Sequence, residues 1–253
     1  MNKETLLKDK TALVTGASSG IGAATALALA SEGANILLHY NSNAEGAKHV
    51  LEQILQKGVA AESIQADLTT REGVRSLSRY AESKPIDILV NNAGSLLART
   101  PVLEFTEELW DGVITLNLTS AFFLSQAVLR GMKERQQGVI VNVSSVAARF
   151  GGGIGALAYS SAKAALSTMT RGLTKEFASS GIRINAVSPG TVLTHYHETF
   201  STPAMLEGVR SMTPAGRIGT SEEIADVIVF LCGPQARFIH GEVIEVNGGF
   251  FMA

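Results

Sequence analysis

Short apolar runs alternate with longer stretches of helical spacing along the whole chain. Residues 11–15 (TALVT), 35–40 (NILLHY), 61–65, 86–90 (IDILV), 139–143 (VIVNV), 182–187 and 243–246 are each too short for a helix. Most are apolar at consecutive positions, the pattern of strands buried on both faces. Between them lie segments that read as helices: 23–32 (AATALALASE, closed by Gly33), 44–57 (stopped by Gly58) and 70–83. Three more follow: 106 to about 134, a long run from Tyr159 to Gly181, and 222–231. Thr106, with Glu107 and Glu108 behind it, has the chemistry of a helix cap, and Ser221 is the expected cap of the 222–231 helix. A break is expected near Gly112, and 191–220 carries no firm periodicity. Regular alternation of strand and helix predicts an α/β fold: a doubly wound, mainly parallel seven-stranded sheet with helices on both faces. Without repeats or linker-like tracts, 1–253 is expected to form a single domain.

Composition narrows the function classes. The net charge is −2 with both signs scattered, which is no footprint for nucleic acid. The one cysteine, Cys232, cannot form an internal disulfide, and a reducing compartment follows as the simplest setting. The opening MNKETLLKDK has no apolar core of a signal peptide, and no uninterrupted apolar run approaches a membrane span. The expectation is a cytoplasmic protein without membrane partners.

Two motifs carry chemistry. Gly16, Gly20 and Gly22 fall between the first strand and the first helix. Glycines there permit a tight turn and close approach of backbone to a pyrophosphate, whose charge sits at a helix N-terminus. The spacing is G-x-x-x-G-x-G, not G-x-G-x-x-G. The second motif is Tyr159 with Lys163, four apart and so on one helix face. A phenol loses its proton near pH ~10. Lowering that to about 7 takes roughly 4 kcal/mol, about what an ammonium ~4 Å away supplies at an effective dielectric of ~20. Such a pair can act as general acid and base.

With these residues in view, the chain resembles the short-chain dehydrogenase/reductase family from about residue 8 to its end. TGASSGIG (15–22) is similar to the family's cofactor phrase, and NNAG (91–94) to its central-strand signature. Asn117, Ser145, Tyr159 and Lys163 resemble its active-site tetrad. The resemblance implies hydride transfer between a nicotinamide and a carbonyl or alcohol carbon. Tyr159 is expected to give the proton, Ser145 to hold the oxygen, Lys163 to lower the phenol pKa and bind ribose, and Asn117 to hold a relay water. Ser144 is a rival for Ser145. The cofactor is expected to contact Gly16, Ser18, Ser19, Gly20, Ile21, Gly22, Tyr40, Asn41, Ser42, Asp67, Leu68, Asn91, Ala93, Gly94, Tyr159, Lys163, Pro189, Gly190, Val192 and Thr194. The GEVIEVNGG phrase (241–249) resembles the family's closing strand, with Asn247 where Asp is usual.

An Asp or Glu about 20 residues past the glycines would bind an NAD ribose and repel a 2′-phosphate. Tyr40-Asn41-Ser42 stands there without a carboxylate, so NADP is favoured over NAD. Among relatives, the chain most resembles 3-oxoacyl-[acyl-carrier-protein] reductases and broad ketone reductases. The family's carrier-protein enzymes often place a basic residue where Ser180 stands here. The expected substrate is a small-molecule ketone, keto ester or oxoacyl thioester, chosen by 95–99, 149–157 and 195–212 within a substrate loop at about 191–220. Alternatives are an NAD-dependent alcohol or sugar dehydrogenase, and a nonenzymatic nicotinamide sensor. Trp110 and Phe122-Phe123 are read as core or helix packing. His195 and His197 are read as a lid surface, and no metal site is expected. Relatives usually form homotetramers through the Asn117 and Tyr159 helices, which implies the same here.

Overall fold

The computed structural model describes residues 5–193 and 201–252. Seven strands form one parallel sheet: β1 (Thr11–Val14), β2 (Asn35–Tyr40), β3 (Ala61–Gln65), β4 (Ile88–Asn91), β5 (Gly138–Val143), β6 (Ile182–Pro189) and β7 (Val243–Val246). Their order is β3-β2-β1-β4-β5-β6-β7, as the alternation predicts. The order reverses between β1 and β4, so the loops leaving those strands part and open a crevice at their carboxyl ends.

Helices cover both faces. On one lie α1 (Gly20–Ser31), α2 (Ala44–Leu55) and α9 (Ser221–Cys232), around Leu29, Ile36, Leu38 and Ile228. On the other lie α3 (Arg71–Glu82), α5 (Ser120–Arg135) and α7 (Leu157–Phe177), around Leu77, Leu89, Leu124, Ile140 and Ile184. The remaining helices are α4 (Glu107–Ile114), the short α6 (Ala147–Phe150) and α8 (Pro203–Met212). The central strands β4 and β5 are almost wholly buried, whereas edge strand β3 is mostly exposed.

Three expectations about local structure change. The irregularity in the 106–135 region lies at Thr115–Thr119, a π-helical turn, and not at Gly112. Asn117 sits within it and donates from Nδ2 to the Val113 carbonyl at 2.8 Å, competing with the backbone for that acceptor. The cap of α9 is Thr220, one residue earlier than expected. Its hydroxyl takes the Glu223 N–H while the Glu223 carboxylate takes the Thr220 N–H, a reciprocal box that Ser221 cannot form from inside the helix. Trp110, Phe122 and Phe123 are exposed on the surface, and pack in edge-to-face pairs (Phe105–Trp110 and Phe122–Phe123).

The rod Glu107–Arg135 is also long and apolar enough to cross a membrane by length and composition, which the sequence pattern did not single out. More than half of its most apolar window is buried inside the protein, as in the core helix of a soluble fold. At the far edge, the Arg183 guanidinium from β6 reaches the carbonyls of Leu231, Cys232, Gly233 and Ala236. It thereby satisfies the carbonyl groups that end α9.

Candidate active site

A cleft of about 770 Å³ opens where the sheet order reverses. The glycine loop forms its floor. Gly16 and Gly20 take φ of +64° and +55°, a region closed to most side chains. A Cβ on Gly22 would lie 2.2 Å from the Gly16 carbonyl oxygen and 2.5 Å from Asn92 Nδ2, so only glycine fits. Ser19 precedes α1 without a side-chain cap, and the first turn holds no acidic residue. The N–H groups that open this helix therefore face the cleft free of a competing carboxylate, as binding of a phosphate requires. Thr15 ties this loop to β4. Its hydroxyl accepts from the N–H groups of Asn92 (2.9 Å) and Ala93 (3.0 Å), while Asn92 Nδ2 returns a bond to the Thr15 carbonyl.

Beneath the loop lies His39, which the sequence reading passed over. Gly16 N–H donates to its Nδ1 at 3.1 Å, and Nε2 lies 3.0 Å from the Ala66 carbonyl. Only the neutral ring with its proton on Nε2 serves both partners. Burial lowers the His39 pKa from 6.5 to about 4. The folded state thus resists a proton that the unfolded chain accepts, so stability rises with pH between the two values. Its contribution is complete above about 6.5 and is lost as the pH falls toward 4. Urea unfolding of the wild type at pH ~4.5 and ~7 is expected to show a loss on the order of 2 kcal/mol that His39→Asn lacks. Equal slopes for the two proteins would remove His39 from this role.

The catalytic candidates converge at the ends of β5 and β4. Ser145 Oγ accepts the Ala147 N–H at 3.1 Å, and Ser145 lines the cleft together with Tyr159. Ser144 is turned into the core, held by the Lys163 carbonyl and Ser167 Oγ. The Ser144 hydroxyl is thus committed to core partners, which leaves Ser145, the serine that the family resemblance favours. Lys163 is buried, donates from Nζ to the Val143 carbonyl at 2.8 Å, and lies 5.6 Å from the centre of the Tyr159 ring. Burial pulls its pKa down to about 8. Burial also raises the Tyr159 pKa, which the Ser145 hydrogen bond partly offsets. In the protein alone burial outweighs any lowering of this phenol by Lys163, whose Nζ donates to a backbone carbonyl.

Asn117 is buried beside them. Its Oδ1 accepts the Ser95 N–H at 3.1 Å and its Nδ2 also reaches the Ser95 carbonyl at 2.8 Å. A Cβ on Gly94 would lie 2.7 Å from Asn117 Oδ1 and 2.9 Å from Lys163 Nζ, so this glycine sits between the two groups. From Ser145 the chain forms α6 and then a turn in which Gly151, Gly152 and Gly155 have positive φ. Arg99 Nη1 pins that turn through the Ile154 carbonyl at 2.7 Å.

Most of the expected cofactor residues line this cleft: Gly16, Ser18 to Gly22, Asn41, Ser42, Leu68, Ala93, Gly94, Tyr159, Lys163, Pro189, Gly190 and Val192. Tyr40 and Asp67 do not. Asp67 instead accepts from the Thr69 N–H and hydroxyl, leaving Leu68 and Thr69 to face the space. Asn91 lies behind the cleft, buried and bonded through Nδ2 to Ser125 and Asn142. Thr194, His195 and His197 lie outside the described residues. Lining residues not anticipated include His39, Asn43, Asn92 and Phe250. Asn43 caps α2 through the Gly46 N–H, and so is held at the lip of the cleft.

The profile described as Enoyl-(Acyl carrier protein) reductase matches residues 16–251. The 3-oxoacyl-[acyl-carrier-protein] reductase FabG of Aquifex aeolicus is 40% identical over 259 residues, covering 98% of this chain and 100% of that one. A crystal structure of a putative NAD(P)-dependent gluconate 5-dehydrogenase from Beutenbergia cavernae, with NADP bound at low occupancy, superposes with a TM-score of 0.91. It is 35% identical, over 98% of this chain and 99% of its own. A 7α-hydroxysteroid dehydrogenase complexed with NADH and 7-oxo glycochenodeoxycholic acid has a TM-score of 0.89 at 34% identity, covering 98% of this chain and 97% of that one. The chain belongs to the short-chain dehydrogenase/reductase family of NAD(P)-dependent oxidoreductases acting on CH–OH groups.

Proposed function

We propose that this protein reduces a ketone, keto ester or 3-oxoacyl thioester to a secondary alcohol, reversibly, with NADPH as the donor. The observation that carries this reading is the gathering of Ser145, Tyr159 and Lys163 in the lining of the glycine-floored cleft. When bound, the cofactor supplies the hydride. As the carbonyl carbon receives it, the C=O electron pair moves onto oxygen, where Ser145 Oγ–H steadies the developing charge. Tyr159 Oη–H then gives that oxygen its proton. Lys163 has two N–H groups left after Val143, enough to hold a ribose hydroxyl and keep positive charge beside the phenol. Both Nδ2 hydrogens of Asn117 are committed, so a relay water attaches through the spare lone pair of Oδ1.

NADP preference is supported by the lip formed by Asn41, Ser42 and Asn43, which offers amides and a hydroxyl without a carboxylate. The bound NADP of the Beutenbergia cavernae structure supports it too. Asn41→Asp is expected to lower kcat/KM for NADPH relative to NADH at least about tenfold, because a carboxylate there faces the 2′-phosphate. An unchanged ratio in steady-state kinetics argues that the phosphate lies elsewhere. We further propose a cytoplasmic homotetramer, for which the exposed Trp110, Phe122 and Phe123 supply apolar contact.

The deciding experiment follows NADPH consumption against ketones, keto esters and acyl thioesters. Turnover supports the reductase. Oxidation of sugar acids or alcohols with NAD alone favours the dehydrogenase reading, and tight cofactor binding with no turnover favours a sensor.

A further inference from the structure

The segment that follows β7 is tied to the active-site loop by a chain of polar and aromatic contacts. Arg149, four residues past Ser145, donates from Nε to Glu245 Oε1 at 2.7 Å. The other oxygen of that carboxylate accepts from Asn247 Nδ2 at 3.2 Å. The same Nδ2 donates to the Phe251 carbonyl at 2.9 Å, while Asn247 Oδ1 accepts the Gly249 N–H at 3.0 Å. The Phe250 N–H closes the turn on the Asn247 carbonyl at 3.1 Å. The turn delivers two rings. Phe251 lies beneath the Arg149 guanidinium, 5.8 Å from its ring centre, and Phe250 packs on Phe150 at 5.8 Å between centroids. Phe250 and Phe150 both line the cleft, as do Met205, Leu206 and Val209 of α8.

We propose that Phe250 is a specificity-determining residue, the outer apolar wall that favours substrates with bulk beyond the reacting carbonyl, and that Asn247 is the positioning residue that holds this wall in place. The proposal rests on the carbonyl-reductase reading above. Asn247 suits the task because its three side-chain partners are one donor and two acceptors, which an amide satisfies at once. A carboxylate of the same shape would meet the Glu245 carboxylate and the Phe251 carbonyl with no proton to offer. Phe250 supplies a flat face of roughly the size of an aryl or medium acyl group. Contact of that kind is worth on the order of tenfold in kcat/KM.

The test compares two keto esters with the same reacting group, ethyl acetoacetate and ethyl benzoylacetate, at saturating NADPH. For Phe250→Ala, the ratio of kcat/KM for the benzoyl over the acetyl ester is expected to fall about tenfold, mainly through KM. Asn247→Asp is expected to move the ratio in the same direction severalfold. The double variant Glu245→Gln/Asn247→Asp is expected to recover most of it, since the amide introduced by the first change can donate to the carboxylate introduced by the second. Hydrogen exchange reads the positioning role apart from activity. The Gly249 and Phe250 amides are expected to exchange faster in Asn247→Asp and to slow again in the double variant. An unchanged ratio in Phe250→Ala overturns the wall, and unchanged exchange in Asn247→Asp overturns the positioning role. If the wild type binds NADPH yet reduces neither ester nor any other carbonyl, the reductase reading fails and Phe250 selectivity falls with it. The exchange experiment still decides the role of Asn247.

Discussion

Tyr159→Phe is expected to lower kcat for carbonyl reduction by at least about a thousandfold, while the NADPH dissociation constant stays within about twofold of wild type. General acid catalysis by a positioned side chain is worth roughly a hundred- to ten-thousandfold. Among the described residues, no other acidic hydrogen is positioned to replace it fully. Ser145 is a far weaker acid, and Lys163 Nζ is spent in part on the Val143 carbonyl. The change removes one oxygen and leaves the ring, so the half-buried packing of the side chain persists. On the proposed reading, cofactor binding draws chiefly on the glycine loop and the start of α1, distant in sequence from Tyr159 and built on different strands. Stopped-flow NADPH oxidation and a fluorescence titration of bound NADPH separate the two effects. A Phe variant that retains a tenth of wild-type kcat removes Tyr159 from the mechanism.

The same residue gives the pH profile a definite shape. In the protein alone, burial holds the Tyr159 phenol above its usual range and holds Lys163 down to about 8. Under the proposed mechanism reduction uses the protonated phenol, which is the dominant form at neutral pH and is made more so by burial. The proposed role of Lys163 calls for its charge, which is lost as the pH rises through about 8. The active combination is therefore favoured on the neutral side of that value.

How much of this could be read in the chain depends on the range of the interaction involved. The strands were legible because β1, β4, β5 and β6 are buried on both faces, and burial of that kind writes itself as consecutive apolar residues. Tyr159 and Lys163 were legible because helical spacing puts them on one face. The π-helical turn at Thr115–Thr119 was not, since one inserted residue leaves the amphipathic pattern on either side intact. α8 was lost within 191–220 because it has no fully buried position to impose a period; its Thr202 cap and Pro203 start were the available signal. His39 did leave a trace, a polar ring within NILLHY that must find partners when buried on both faces. Phe250 left none, because its place in the cleft is set by contacts with Phe150 and the Asn247 turn, not by any local period. Of the two readings for Trp110, Phe122 and Phe123, core or helix packing, the core reading fails, because size and apolarity alone do not reveal which helix face meets the sheet.

Gly22→Ala is expected to weaken NADPH binding by at least about a hundredfold and to destabilise the fold by about 1–2 kcal/mol. Two effects compete. Alanine favours a helix over glycine by up to about 1 kcal/mol, and Gly22 lies in the first turn of α1. Against this, the new Cβ would fall 2.2 Å from the Gly16 carbonyl oxygen and 2.8 Å from its carbon. Backbone cannot yield as the end of a flexible side chain does, so the loop must move. Gly16 is held from two sides, by its N–H on His39 Nδ1 and by its carbonyl on Asn92 Nδ2 at 3.2 Å. Displacing it breaks those bonds and pulls the loop away from where a pyrophosphate would seat, so affinity suffers more than stability. Gly208 in α8 supplies the contrast, because a Cβ there meets nothing within 4 Å. Gly208→Ala keeps the helical gain without the collision, and is expected to raise stability by up to about 1 kcal/mol. Calorimetric titration of NADPH and urea unfolding of both variants test the pair. Wild-type affinity in Gly22→Ala would show that the cofactor does not depend on the close approach of these two glycines.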